Sequence, residues 1–131
     1  MLITTDLLNS VTLKAKSSPR HRMNFNFHES FNDAVQRMIN AIEPEAVIPI
    51  ARHPYSNETL VLLRGRLRVV YYNDDKEIVK DIILDKDNGY LGIHIPKGTW
   101  HKVASLETGT VVFETREGPY SPVTPTDILE K

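Results

Sequence analysis

The 131-residue sequence contains no cysteine. That excludes disulfide stapling, thiolate nucleophiles and cysteine metal ligands. Any metal site must be built from imidazole nitrogens and carboxylate oxygens, and five histidines are available for it. An excess of one charge is also missing: 16 Lys and Arg face 17 Asp and Glu, a formal net charge of -1. Such a balance supplies no field to attract a polyanion. The one basic stretch, Lys14, Lys16, Arg20 and Arg22, lacks the interleaved aromatics or recognition helix of a nucleic-acid reader, so no nucleic-acid partner is expected. No apolar run approaches the roughly 18 residues needed to cross a bilayer. The opening Met1-Leu2-Ile3-Thr4-Thr5-Asp6 lacks the basic and then apolar order of a secretion signal. A soluble, cytoplasmic protein with no membrane partner is the expectation.

What is present is the composition of one folded domain. A chain of 14.9 kDa buries about two-thirds of its extended surface on folding, enough for one core and not for two. From Val47 onward, short apolar runs predict strands at Val47 to Ile50, Thr59 to Leu63, Arg66 to Tyr72, Glu77 to Leu84, Tyr90 to Ile95, Lys102 to Ser105 and Thr110 to Thr115. Turn residues separate them, among them Arg64-Gly65, Asn73-Asp74-Asp75, Asp87-Asn88-Gly89 and Pro96-Lys97-Gly98. Evenly spaced strands with no helices between them predict an all-β barrel or sandwich rather than a parallel α/β sheet.

Before this region, Met23, Phe25 and Phe27 alternate with polar residues and predict one more strand, from Arg22 to Phe27. Ser30 is placed to cap a helix. Phe31, Val35, Met38, Ile39 and Ile42 then recur at spacings of three and four before Pro44, which predicts a helix from Phe31 to about Ile42. A turn or short helix is read at Asp6 to Ser10, and a polar link at Lys16 to Pro19. The organisation expected is a leader over residues 1–21, a domain with outer strand and helix over 22–118, and an extended, proline-rich tail over 119–131.

The residue types able to carry chemistry are His28, His53, Glu58, His94 and His101. A tight turn through Pro54-Tyr55-Ser56-Asn57 returns His53 and Glu58 toward one another. Ile95-Pro96-Lys97-Gly98-Thr99-Trp100-His101 fixes a second turn ahead of His101. Two imidazoles and a carboxylate make a triad that leaves positions open on a metal. On spacing alone the plainer reading leads: structural histidines that donate to backbone carbonyls and turn glycines that serve only the backbone. His94 stays undecided, because it shares a strand face with Tyr90 and Gly92 while Ile93 and Ile95 form the other. His28 borders either the barrel mouth or a helix entry.

Two fragments carry a family resemblance. His53, then four residues, Glu58, then six, Gly65 is similar to the first motif of the cupin superfamily; Pro96-Lys97-Gly98, then two residues, His101 is similar to the second. Ala51 stands where the first motif has its first histidine, Ser105 where the second has asparagine, and Tyr90 where it has glycine. More narrowly, Asn26-Phe27-His28-Glu29-Ser30-Phe31, Val35 to Ala41, Gly98-Thr99-Trp100-His101 and Phe113-Glu114 with Gly118-Pro119-Tyr120 resemble the WbuC-type cupin-fold metalloproteins. The resemblance implies a small cupin (double-stranded β-helix, jelly-roll) barrel with an N-terminal strand and one helix packed outside. It implies a divalent metal ion (zinc, iron, nickel or manganese) on His53, Glu58 and His101, with His94 a further ligand where Ala51 has lost one. His28 and Tyr55 are the expected proton-handling groups. A small carbohydrate-like or nucleotide-sugar-like substrate, surface-polysaccharide biosynthesis and a homodimer complete the expectation. A non-catalytic sugar- or metabolite-binding module is the alternative.

Overall fold

The computed structural model describes residues 1–129. In chain order the elements are α1 (Thr5–Ser17), β1 (Arg22–Asn26), β2 (Val35–Ile42), β3 (Ile50–Ala51), β4 (Glu58–Arg64), β5 (Arg66–Tyr72), β6 (Ile78–Asp85), β7 (Gly92–Ile95), β8 (Trp100–Ser105), β9 (Thr110–Glu117) and β10 (Ile128–Leu129). Short 3-10 turns lie at Lys86–Asn88 and Pro125–Asp127. The strands form two antiparallel five-stranded sheets, ordered β1-β2-β9-β4-β7 and β10-β3-β8-β5-β6. This is the sandwich of a cupin-like fold, and the expected closed barrel is corrected by it. Each sheet keeps two edges, and β1 is an edge strand of the first sheet rather than an outside layer.

The core between the sheets is built from Ile42, Leu60, Leu62, Val112 and Ile95 on one side and Leu67, Val69 and Leu84 on the other. A second cluster lies behind the first sheet, where Leu8, Val11 and Ala15 of α1 meet Ile39, Ala41 and Val111. Met23, Phe25, Phe27 and Phe113 pack against this cluster. Met23 and Phe25 of β1 and the following Phe27 are therefore engaged with the cluster under this chain's own helix rather than free to pair with a second copy.

The helix expected over Phe31 to Ile42 is a strand, β2, lying between β1 and β9. Its apolar residues serve both faces: Met38 and Ile42 point between the sheets while Ile39 and Ala41 meet α1. Filling both sides of a central strand produces apolar spacings that imitate a helical stripe. The helix of this fold is α1 instead. Thr4 caps it, its hydroxyl accepting from the Leu7 N–H at 3.1 Å. Leu8, Val11, Thr12 and Ala15 form the buried stripe at helical spacing, and Lys14 and Lys16 sit in the last turn, where a cation suits the helix dipole. Among the described residues no helix is long and apolar enough to cross a membrane.

The β4–β5 turn needs glycine. Gly65 has φ +88, and a Cβ there would lie 2.6 Å from Thr110 Cα. The Thr110 hydroxyl, fully buried, accepts from the Arg66 N–H at 3.3 Å and donates to the Glu107 carbonyl at 2.8 Å. The tail returns to the molecule: β10 pairs with β3, and Asp127 accepts from Arg52 Nε at 2.9 Å.

Candidate metal centre

Side chains alternate across a strand, so the register decides which residues share the space between the sheets. In the first sheet Glu58 of β4 lies opposite Arg116 of β9, Leu60 opposite Glu114, and Leu62 opposite Val112. Glu114 in turn lies opposite Met38, and Val112 opposite Asn40. Glu58, Glu114, Arg116 and Asn40 thus line one cavity of about 560 Å³, together with His53, His101 and Ala51 from the opposing side. His101 begins β8 and lies opposite Ala51 of β3. The turn that delivers it is fastened to the His53 segment, for the Gly98 N–H donates to the His53 carbonyl at 2.9 Å.

One imidazole nitrogen each from His53 and His101, and one Glu58 oxygen, lie within 4.8 Å of one another. Bonds of about 2.0 to 2.2 Å to a common ion hold ligand atoms roughly 3 to 4 Å apart, so small side-chain rotations suffice for this donor set to hold one ion. His101 Nε2 is 2.8 Å from Glu58 Oε1. Its Nδ1 donates to the Thr99 carbonyl at 2.9 Å, which leaves Nε2 as the ligating nitrogen once its proton leaves. Arg116 Nη1 donates to His53 Nε2 at 2.9 Å.

The electrostatics follow from burial and proximity. Burial alone would push Glu58 up, but the hydrogen bond and charge of His101, with His53 near, hold it at about 2. Burial lowers His101 while Glu58 more than restores it, so its pKa is raised. His53 is lowered to about 4 by burial, reinforced by the Arg116 charge. Glu114 is raised to about 8 by burial and by the charge of Glu58, to which it hydrogen-bonds. Near neutral pH Glu114 therefore keeps its proton, and Asn40 Nδ2 donates to Glu114 Oε1 at 2.7 Å. An ionised and a protonated carboxyl side by side form a proton-holding pair.

The structure brings His53, Glu58 and His101 together and separates the other three residues from them. His94 is exposed on the outer side of β7, with its Nδ1 3.0 Å from Thr59 Oγ1. Ile95, on the opposite parity, fills the core. Tyr55 is 86% exposed at the tip of its turn. His28 is buried outside the cavity lining, with Nδ1 against the Arg37 backbone at 3.1 Å and Nε2 without a partner. Arg52 is turned away from the ligands: it stacks over Trp100 at 4.3 Å and pairs with Asp127. Glu114, Arg116 and Asn40 were not anticipated as site residues. Their signal is parity, since Glu114 and Arg116 share the strand face of the inward-facing Val112.

Two packed antiparallel sheets in this order make a cupin-like sandwich. Solved structures agree at the level of the fold. KdgF from Halomonas sp. is similar at a TM-score of 0.61 and 13% identity, with 79% of this chain and 84% of that one covered. The Cnp3 cupin domain of Schizosaccharomyces pombe gives 0.59 and 8%, covering 73% and 64%. The capsular polysaccharide assembling protein CapF from Staphylococcus aureus gives 0.64 and 20%, covering 80% of this chain but only 28% of CapF. The family model matching residues 3–84 is that of a domain of unknown function, DUF6016, and the chain belongs to that family. No curated protein matches the sequence.

Proposed function

We propose that this protein is a metal-dependent enzyme acting on a small carbohydrate-like or nucleotide-sugar-like molecule. The observation that carries the reading is the His53-Glu58-His101 cluster opening on a roomy cavity with a protonated carboxyl, Glu114, beside it. His53, Glu58 and His101 would hold a divalent ion (zinc, iron, nickel or manganese), which when bound supplies Lewis acidity toward a carbonyl or hydroxyl oxygen. Glu114 holds a proton within the cavity at neutral pH. In this reading it takes the proton-handling role, ahead of His28 and Tyr55, which do not line the cavity. Arg116 donates to His53 and orients its ring. Phe31 and Tyr120, ring centroids 4.9 Å apart, line the exposed end of the cavity.

The substrate class draws on the WbuC-type resemblance and on the fold shared with CapF, a capsular polysaccharide assembling protein, and surface-polysaccharide biosynthesis in the cytoplasm belongs to the same proposal. A homodimer belongs to it as well, through a face other than the one α1 covers. The second reading is a binding module without turnover, favoured by the Arg116 contact: a guanidinium against His53 Nε2 already supplies a cation where an ion would bind. The test is elemental analysis of the purified protein followed by incubation of the metal-loaded form with a panel of sugar nucleotides. About one equivalent of metal, and product formation abolished by Glu58→Gln, supports the enzyme. Ligand binding without metal or product supports the module.

A further inference from the structure

We propose that the end of the cavity remote from the metal cluster is an anion subsite. There Arg22, with Arg20 beside it, holds a phosphate or carboxylate group of a ligand whose other end lies against His53, Glu58 and His101. The inference rests on the reading of this cavity as a substrate site and names the feature its substrate must carry.

Register places Arg22 there. It lies opposite Ile42 on β2, and Ile42 lies opposite Thr110 on β9. Met23, Phe25 and Phe27 turn to α1, so Arg22 and Asn24 take the other parity, and both line the cavity with Arg20. Arg22 is half-buried, opposite Ile42 of the cavity wall. Among the described residues no carboxylate lies within ion-pair distance of Arg20 or Arg22, whereas Arg52, Arg66 and Arg68 each have one. Burial and the neighbouring charge of Arg20 both lower the pKa of Arg22. A half-buried Arg22 with an exposed Arg20 of like charge on the same cavity lining has no anion to offset it among the described residues, and guanidinium groups bind oxyanions bidentately.

The backbone between them is set for this. His21 has φ +57, an uncommon conformation for a residue other than glycine. The turn is held on both sides: the His21 N–H donates to the Ser18 carbonyl at 3.0 Å, and the His21 carbonyl accepts from the Glu43 N–H at 2.9 Å. The turn so fixed carries Arg20 on one side and Arg22 on the other, while His21 itself lines a separate, smaller pocket with Glu43 and Glu45.

The span sets ligand size. Thr110, in the register row of Arg22, and Arg116, in the row of Glu58, are six residues apart on β9. That is about 20 Å of strand before side chains reach inward. Side chains reaching in from both ends shorten this, and a ligand touching both must be longer than a free inorganic anion, as a sugar phosphate or a nucleoside diphosphate sugar is.

Calorimetric titration with uridine diphosphate, glucuronate and neutral glucose tests the subsite, with metal content measured on the same samples. The expected result is binding of at least one of the two anions and none of glucose. Affinity should fall about tenfold or more in Arg22→Gln and partly recover in Arg22→Lys, with metal content unchanged in both variants. Which anion binds decides between phosphate and carboxylate. Failure of both anions to bind the parent protein, or equal affinity in Arg22→Gln, overturns the proposal. His53→Ala separates the two readings, because it should lose metal and keep the anion. Anion binding dependent on Arg22 in a parent protein that takes no metal would uphold the subsite while removing the metal-dependent enzyme.

Discussion

The two faces of the β1-β2-β9-β4-β7 sheet are made by the same strands and do opposite work. The face toward α1 carries Met23, Phe25, Ile39, Ala41, Val111 and Phe113, all apolar. The face toward the second sheet carries Arg22, Asn40, Glu114, Arg116 and Glu58 among its apolar residues. One face gains by excluding water. The other gives up some of that gain to hold charges, of which Glu58, Glu114 and Arg116 meet one another and the two histidines while Arg22 has no carboxylate partner among the described residues. Stability should therefore respond mainly to substitutions on the helix side, and pH and metal response to those on the cavity side.

The largest effect should come from the helix face. Ile39 is fully buried between α1 and β9, and Ile39→Ala should cost about 2 to 5 kcal/mol in denaturant unfolding, from lost burial and the cavity left behind. Metal content should not change, and a change would mean that the two faces are coupled. Next comes Gly65→Ala, at the hinge between the sheets. Its left-handed backbone and the 2.6 Å approach to Thr110 Cα predict a loss of about 1 to 3 kcal/mol by the same assay.

A smaller effect, on slope rather than on depth, belongs to Glu114. Its folded pKa, raised from 4.5 to about 8, means that the native state holds a proton the unfolded chain has released across that window. The stability it lends is complete below about pH 4.5 and is lost as pH rises through about 8. His53, lowered from 6.5 to about 4, works the other way, and stability falls as pH drops from 6.5 toward 4. Between about pH 4.5 and 6.5 the two oppose one another. From 6.5 to 8 the Glu114 effect stands with that of His101, whose raised pKa acts in the same direction. Glu114→Gln keeps an acceptor for Asn40 and removes the titration, so thermal midpoints at pH 6.5 and 8.5 should lie closer together than in the parent. An unchanged gap would show that Glu114 does not hold the proton.

The smallest effect is at the rim. Asp127→Asn weakens the pairing with Arg52 and should raise amide exchange in β10 while leaving the global midpoint near its parent value. Protection of β10 equal to the parent would show that strand pairing alone holds the tail.

The two faces also differ in how well the sequence reveals them. Strands with one polar side were readable: Arg66 to Tyr72 has the bounds of β5, and Trp100–Ser105 begins two residues before its expected start. β2 was not readable, because apolar residues on both of its faces give Val35, Met38, Ile39 and Ile42 the spacing of a helix. The length of α1 was hidden for the opposite reason: Leu8, Val11 and Ala15 are a sparse stripe among lysines, threonines and serines. In the site, His53, Glu58 and His101 were visible because turn residues deliver them, and turns leave local signals. Glu114, Arg116 and Asn40 reach the cavity only through strand register, a long-range property that no local pattern carries.

The central claim is that the cavity face is a metal centre short of one ligand, at Ala51. Ala51 lines the cavity opposite His101, so Ala51→His places an imidazole beside the existing three donors. Titration of the parent, Ala51→His, His94→Ala and His101→Ala with zinc and manganese at constant pH measures this directly, with proton release recorded because the ion displaces the proton of His101. The account predicts one ion per chain in the parent, tighter binding in Ala51→His, no change in His94→Ala and loss in His101→Ala. A parent that binds no ion, or an Ala51→His variant that folds normally and binds no tighter, would contradict it.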